Sequence, residues 1–192
     1  RLGKKDMHAS EKPAVDQSRC VGCGVCAKNC AHGAITVVEH AYIDATKCAG
    51  CGRCIEKCPQ KCVHPMDDRA NEILSRKVAE YTAAVVRGRP CFHVALACDI
   101  SPYCDCYALN DAPILEDIGM FASFDPVAMD QCCVDMANAR KPLRNSLLYK
   151  REKPGAADHF TALFPETNWQ AGLEQGEKLG IGTREYEMEE MA

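Results

Sequence analysis

Apolar residues recur at helical spacing in the middle of the chain. Most of them lie three or four positions apart between residues 73 and 85: Ile73, Leu74, Val78, Tyr81 and Val85. This spacing places them on one face of a helix with 3.6 residues per turn. Gly88 and Pro90 follow, and both residue types commonly end helices. The pattern therefore predicts a helix that ends just before Gly88.

Two later segments have the patterns of strands. The run "CFHVALACDI" at 91–100 is short and apolar on both faces, which predicts a strand buried within a sheet. The run "ILEDIGMFASF" at 114–124 predicts a second short strand. Between them lies "SPYCDCYALNDAP", which is rich in turn-forming residues and is predicted to be a loop.

Two more helices are predicted towards the C-terminus. Asp125 and Pro126 suit the N-cap and first turn of a helix. Helical spacing then places four residues on one face: Met129, Cys132, Cys133 and Met136. A last helix is predicted from about Asn168 to Leu179, closed by Gly180. The acidic tail "REYEMEEMA" is predicted to be a solvated end.

A different pattern repeats with an offset of 28 residues near the N-terminus. The run "CVGCGVCAKNC" from Cys20 returns as "CAGCGRCIEKC" from Cys48, so four cysteines and two glycines align in each copy. Val15 and Ile35 align with Ile43 and Val63. Two copies are too few for a solenoid, so a duplicated half-module with pseudo-twofold symmetry is predicted.

The cysteine spacing indicates a metal centre. A C-x2-C-x2-C run can wrap one tight loop around a cube of iron and sulfide, and glycines let the backbone amides approach the sulfur atoms. Structural zinc sites instead use cysteine pairs separated by a longer gap, so zinc is the weaker alternative. A disulfide framework is weaker still, because the count of 15 cysteines is odd and eight of them follow one spacing.

Residues 13–66 closely resemble the two-cluster bacterial ferredoxins. In that family the fourth cysteine of each run ligates the other cluster. The resemblance implies two [4Fe–4S] clusters, one held by Cys20, Cys23, Cys26 and Cys58, the other by Cys48, Cys51, Cys54 and Cys30. The family pattern has proline after the fourth cysteine of both runs, whereas this chain has Pro59 but Ala31. Alanine can adopt the same φ as proline, so the ligand assignment is kept.

Cys62 lies close to the second run but aligns with Ala34 in the first copy. A position that accepts alanine is a small packing site, and a free cysteine packs as a small hydrophobic residue. Packing is therefore favoured over ligation for Cys62.

Composition and charge limit the expected partners and location of the protein. The net charge of −4 and the absence of a Lys/Arg cluster give no support for nucleic-acid binding. No apolar run approaches the length of a membrane-spanning helix, so membrane insertion is not expected. The many cysteines favour a reducing, cytoplasmic location in an organism that tolerates little oxygen.

A second resemblance covers nearly the whole chain. The segments "GKKDMHAS", "CDISPYCDC", "DIGMFASFDPVAMDQ" and "HFTALFPETNWQAGLEQGEKLGIGTREYE" resemble the C-terminal part of iron–sulfur proteins in the domain of unknown function 362 family. The resemblance implies that this chain matches only the C-terminal part and lacks the larger N-terminal portion of the family's fold. The sequence leaves open whether another segment or chain supplies that portion. We therefore predict an α+β protein with an N-terminal segment at 1–12, a ferredoxin-like two-cluster module at 13–66, and a partial α/β-type domain at 67–192.

Three functions compete. Single-electron transfer through two clusters is favoured, and a module with six basic and four acidic residues suits an acidic redox partner protein. The alternatives are part of an iron–sulfur oxidoreductase, whose substrate site involves the C-terminal domain and the missing portion, and a redox or metal sensor. The sequence does not decide whether the chain is an enzyme.

A second polar site is predicted on the loops around the two strands. Its candidate ligands are Cys104, Asp105, Cys106, Asp111, Asp117 and Asp125. Loops on a rigid sheet often carry binding residues. Structural alternatives are a helix N-cap for Asp125 and a turn for Asp111.

Overall fold

The computed structural model describes residues 12–66, 69–104, 110–151 and 156–191. The chain divides into two compact units, one ending at Leu74 and the other beginning at Ser75. The mixture of helices with small sheets confirms the α+β prediction. None of the helices in the described ranges is both long enough and apolar enough to cross a membrane.

Residues 12–66 of the first unit form two short helices and four short strands. In chain order these are β1 (Ala14–Val15), α1 (Val25–Lys28), β2 (Ile35–Val37), β3 (Ala41–Ile43), α2 (Arg53–Lys57) and β4 (Val63–His64). β1 pairs antiparallel with β4, and β2 pairs antiparallel with β3. A shift of 28 residues carries α1 onto α2, β1 onto β3 and β2 onto β4, so the sequence repeat is also a structural repeat.

Equivalent hydrogen bonds hold the two copies. The Oδ1 of Asp16 accepts from the backbone and hydroxyl of Ser18, and the Oδ1 of Asp44 accepts in the same way from Thr46. The amide of Asp16 donates to the carbonyl of Cys62, at 2.7 Å. Each copy therefore fixes the chain just before its cysteine run with the same local bonds.

The second unit begins within helix α3 (Ala70–Val86) and includes the strands β5 (His93–Ala97) and β6 (Gly119–Ser123). The described residues after β6 form four helices: α4 (Pro126–Asn138), α5 (Leu147–Arg151), α6 (His159–Leu163) and α7 (Gln170–Lys178). The strands β5 and β6 form a two-stranded antiparallel sheet, with Val94 opposite Ala122 and Leu96 opposite Met120. The core of this unit is aliphatic: Ile114, Leu115, Ala137, Leu148 and Leu163.

Most predicted elements of this unit are confirmed. The helical spacing from Ile73 falls within α3, the second strand is β6, and the last helix is α7, followed by Gly180 with φ of 68°. The N-cap prediction is also confirmed, because the Oδ1 of Asp125 accepts hydrogen bonds from the amides of Val127 and Ala128. The residues predicted to share one face of α4 are buried or half-buried there.

The prediction of a fully buried strand at 91–100 is wrong. Val94 is 54% exposed and Leu96 is 68% exposed, whereas the side chains that alternate with them are half-buried. The strand belongs to a two-stranded sheet, and helix α4 packs against that sheet. Although both faces of β5 carry apolar residues, only one face is covered by the described residues, and the other is exposed.

The acidic tail is largely exposed, as predicted, but two of its side chains contact helix α4. The hydroxyl of Tyr186 donates to Asp135 at 2.9 Å, and the Sδ of Met188 lies 3.8 Å from the Sγ of Cys132. These contacts hold the tail along the helix.

Candidate functional site

The loops that carry the cysteine runs depend on glycine. Gly22 and Gly24 have φ of 63° and 73°, and Gly50 and Gly52 in the second copy have φ of 67° and 71°. This left-handed region strongly favours glycine. A Cβ atom on Gly22 would also overlap the carbonyl oxygen of Glu39. The glycines therefore allow each run to fold into a tight loop that leads into α1 or α2.

Each loop forms the wall of one cavity, which we call cavity 1 and cavity 2. Cavity 1 has about 310 Å³ of free space, counting the part open to solvent, and cavity 2 has about 320 Å³. Four predicted ligands line cavity 1: Cys20, Cys23, Cys26 and Cys58. The other four line cavity 2: Cys30, Cys48, Cys51 and Cys54. Each wall thus takes three of these cysteines from one copy and one from the other.

Backbone amides point at several of these sulfur atoms. The amide of Ala41 donates to the Sγ of Cys20 at 3.3 Å, and the amide of Gly50 donates to the Sγ of Cys48 at 3.4 Å. The amide of Ala34 donates to the Sγ of Cys30 at 3.4 Å. Amide donors of this kind stabilise a thiolate more than a thiol.

The pKa values of the cysteines reflect burial and these donors. The Ala41 and Gly22 amides lower the pKa of Cys20, whereas burial raises the pKa of Cys26 and raises that of Cys54 to about 11. Burial alone would also raise the pKa of Cys58, but hydrogen bonds from the residues that follow it lower the value overall. Binding of metal at Cys26 and Cys54 would therefore release protons.

Cys62 contributes a fifth sulfur atom to the wall of cavity 1. Its Sγ lies 3.4 Å from the Sγ of Cys58, and its side chain is buried. Burial, together with the neighbouring Cys58, raises the pKa of the Cys62 thiol to about 12. The structure places this residue beside the predicted ligands, and its exclusion from ligation stays a prediction.

Two observations concern the alternatives of zinc and disulfides. No disulfide joins any two of the cysteines within the described ranges. Among these same residues, no three His, Cys, Asp or Glu side chains converge as a site for one metal ion. The sulfur atoms are grouped by cavity and are not gathered around a single point.

A comparison with protein families gives one match. Residues 3–135 match the family described as Domain of unknown function (DUF362). The chain belongs to the DUF362 family. The match covers more than half of the chain and includes both cysteine runs, β5, β6 and the first part of α4. A search of curated proteins gave no match to this DUF362 protein.

Several residues near the cavities of the DUF362 protein were not predicted from the sequence. The Nζ of Lys12 donates to the carbonyl of Cys48 at 2.8 Å, and Arg53 lies in the wall of cavity 2. Ala41 lines cavity 1, and its repeat counterpart, Pro13, lines cavity 2. The 28-residue offset could have indicated that these two positions are equivalent.

The Ala41 and Pro13 positions make the two cavities unequal. Ala41 has an amide N–H that reaches Cys20, whereas proline has no N–H to offer Cys48 from the same place. The Cys62 and Ala34 positions differ as well, because only cysteine has a side-chain donor. Cavity 1 therefore contains two donors that the repeat does not provide at the matching positions of cavity 2.

The described residues of the predicted second site lie on the expected loops, and several have structural hydrogen bonds. The Oδ1 of Asp117 accepts from the amide of Asp99 at 2.9 Å, and the Oδ1 of Asp111 accepts from Ala112 at 2.8 Å. Asp125 caps α4, and its Oδ2 also accepts from the amide of Thr183, at 2.9 Å.

The two cysteines of this second site differ in what the structure describes. Cys104 is exposed, whereas Asp105 and Cys106 lie outside the described residues. The second site remains a prediction.

Proposed function

We propose that this DUF362 protein binds two [4Fe–4S] clusters and transfers single electrons through them. The observation that carries the proposal is the composition of the two cavity walls, each with four predicted ligands drawn from both copies of the repeat. When bound, such clusters accept and release one electron at a time at potentials set by their surroundings.

The residues of the cavities fit such a cluster. All four predicted donors in each wall are cysteines, which are the usual ligands of a [4Fe–4S] cluster. Glycines allow the loops to lie close to the centre, and amides donate to Cys20, Cys30 and Cys48. These donors offset part of the negative charge that four thiolates bring together.

The surface of residues 13–66 suits an acidic redox partner protein. Basic residues outnumber acidic ones there, although Lys47 pairs with Asp44 at 3.7 Å and Lys57 with Glu56 at 3.0 Å. Such a surface would increase the association rate with an acidic protein in a way that salt weakens. We place this activity in the reducing cytoplasm, where free cysteines persist.

The alternative is part of an oxidoreductase that is completed by another segment or chain. The exposed face of the β5–β6 sheet favours it. Val94, Leu96 and Met120 are adjacent on that face and more than half exposed. Large apolar patches of this kind often mark surfaces that another protein segment covers. In this alternative residues 67–192 are part of a larger α/β-type domain.

The first test is the metal content of protein reconstituted without oxygen. We expect about eight iron and about eight acid-labile sulfide per chain, because each [4Fe–4S] cluster contributes four of each. The variant Cys98→Ser is the control, since Cys98 is an exposed cysteine outside both cavities. Stoichiometric zinc without labile sulfide would contradict the proposal.

A pair of double variants tests the crossed arrangement of ligands. Cys58→Ala with Cys20→Ala removes two ligands from cavity 1, so about four iron should remain. Cys58→Ala with Cys48→Ala removes one ligand from each cavity, and the loss should approach all eight. The reverse result would show that each copy holds its own cluster.

A further inference from the structure

The two cavities differ at one side chain that the repeat makes directly comparable. Cys62 lies in the wall of cavity 1, and its counterpart Ala34 lies in the wall of cavity 2. A methyl group is therefore enough to fill this place in one copy. The cysteine in the other copy adds a thiol, which can donate a hydrogen bond where alanine cannot.

The position of Cys62 is fixed by its backbone. Its carbonyl accepts from the amide of Asp16 at 2.7 Å, and strand β4 begins at the next residue. The side chain is only 3% exposed, and its Sγ lies 3.4 Å from that of Cys58. The thiol therefore lies within hydrogen-bond distance of one predicted ligand and in the same cavity wall as the other three.

The direction of the hydrogen bond follows from metal binding. A cysteine bound to iron is a thiolate and has no proton to donate. An unbound thiol has an ordinary pKa of about 8.5, and burial favours its neutral form. Once Cys58 holds a cluster, Cys62 is therefore the donor and the sulfur of Cys58 is the acceptor.

We propose that Cys62 is a positioning residue that raises the reduction potential of the cluster in cavity 1 by donating its S–H to the sulfur of Cys58. The proposal rests on the proposed function. Reduction adds one electron to a cluster that already carries negative charge, and part of that charge lies on the ligand sulfur atoms. A donor to such a sulfur therefore stabilises the reduced state more than the oxidised state, which raises the potential.

The test is a redox titration of reconstituted protein, with dithionite as the reductant and the reduced clusters followed by electron paramagnetic resonance. Cys62→Ala should keep the wild-type iron and sulfide content. It should lower the potential of one cluster, with the equilibrium constant for reduction falling by up to about tenfold, which is about 59 mV for one electron. The potential of the other cluster should not change.

Two further variants separate a donor from a packing residue. Cys62→Ser keeps a side-chain donor, so it should recover at least half of the reduction potential that Cys62→Ala loses. Ala34→Cys places a thiol at the matching position of cavity 2, and it should raise the potential of the other cluster. Ala34→Cys also tests the proposal if Cys62→Ala does not fold. An unchanged potential of the other cluster in Ala34→Cys would then overturn the proposal.

Other results would also overturn it. A change of less than about twofold in the equilibrium constant, or about 18 mV, in fully loaded Cys62→Ala would mean that Cys62 only packs. Loss of about four iron from Cys62→Ala would mean that Cys62 is a ligand. If the wild-type chain takes up no iron and sulfide, the proposed function fails before these variants are compared.

Discussion

At the scale of single residues, Gly22 and Gly33 have similar backbone conformations but different surroundings. Their φ angles are 63° and 58°. A Cβ on Gly33 would meet nothing within 4 Å, whereas one on Gly22 would overlap the carbonyl of Glu39. The repeat counterpart of Gly33 is Lys61, with φ of 48°, so a side chain is tolerated there. Close approach of the backbone, more than the φ angle, requires glycine at residue 22.

This comparison predicts different effects of the same substitution. Gly33→Ala should lower the free energy of unfolding by about 1 kcal/mol, which is the usual cost of a left-handed conformation for alanine. Gly22→Ala adds overlap with a backbone atom, so its total cost should reach about 3 kcal/mol. The free energy of unfolding can be measured in urea without oxygen, with cluster absorbance as the signal. Equal costs for the two variants would show that only the φ angle matters.

At the scale of elements, the sequence predicted the longer helices and missed the short ones. Helices α3, α4 and α7 have apolar spacing or end signals long enough to recognise. Helices α5 and α6 have five residues each, too few for a periodic pattern, and α6 depends on the N-cap Asp158. The strand β5 was recognised, but its burial was not, because burial depends on what covers the sheet.

The candidate site likewise has features that the sequence predicted and features that it did not. The cysteine spacing, together with the resemblance to two-cluster ferredoxins, predicted the grouping of the eight cysteines that line the two cavities. The donors Ala41 and Lys12 were not predicted, because they reach Cys20 and Cys48 only through long-range contacts. Local spacing predicts the candidate ligands, whereas tertiary structure determines which backbone groups surround them.

The N-cap of α4 supports a prediction about one element. Asp125→Ala should lower the free energy of unfolding by about 2 kcal/mol or slightly more, because it removes the cap and the bond from Thr183. Asp111→Ala is the control and should change the value by less than about 0.5 kcal/mol, because Asp111 is exposed and accepts from its neighbour Ala112. The fluorescence of Trp169, the only tryptophan, reports the transition. Equal small changes would contradict a structural role for Asp125.

At the scale of the whole molecule, the two units have cores of different chemistry. The second unit has an aliphatic core, and its Trp169 donates to Asp158 at 2.8 Å. The first unit has seven buried residues in its core cluster within the described ranges, and five of them are cysteines: Cys20, Cys26, Cys54, Cys58 and Cys62. Four of those five are proposed ligands, so we expect bound clusters to supply much of the internal stability of the first unit.

Removal of iron should therefore affect the two units differently. A chelator added to the reconstituted protein should unfold the first unit, because the binding energy of metal in small domains is largely folding energy. Trp169 should keep its emission spectrum, since it and its partner Asp158 lie in the second unit. Limited proteolysis should then show cleavage confined to the first unit. A shift in Trp169 emission in step with iron loss would contradict this expectation.

The cysteine-rich core also has a consequence for the abundance of the protein in a cell. Without clusters, the buried apolar residues of that core are Ala41 and Val63, supported only by half-buried aliphatic neighbours. If the clusters bind as proposed, we expect the first unit of chains made during iron starvation to stay unfolded and to be degraded by cellular proteases, even with synthesis unchanged. Intracellular turnover would then follow iron supply, and the steady-state amount of the protein would itself record the nutritional state of the cell.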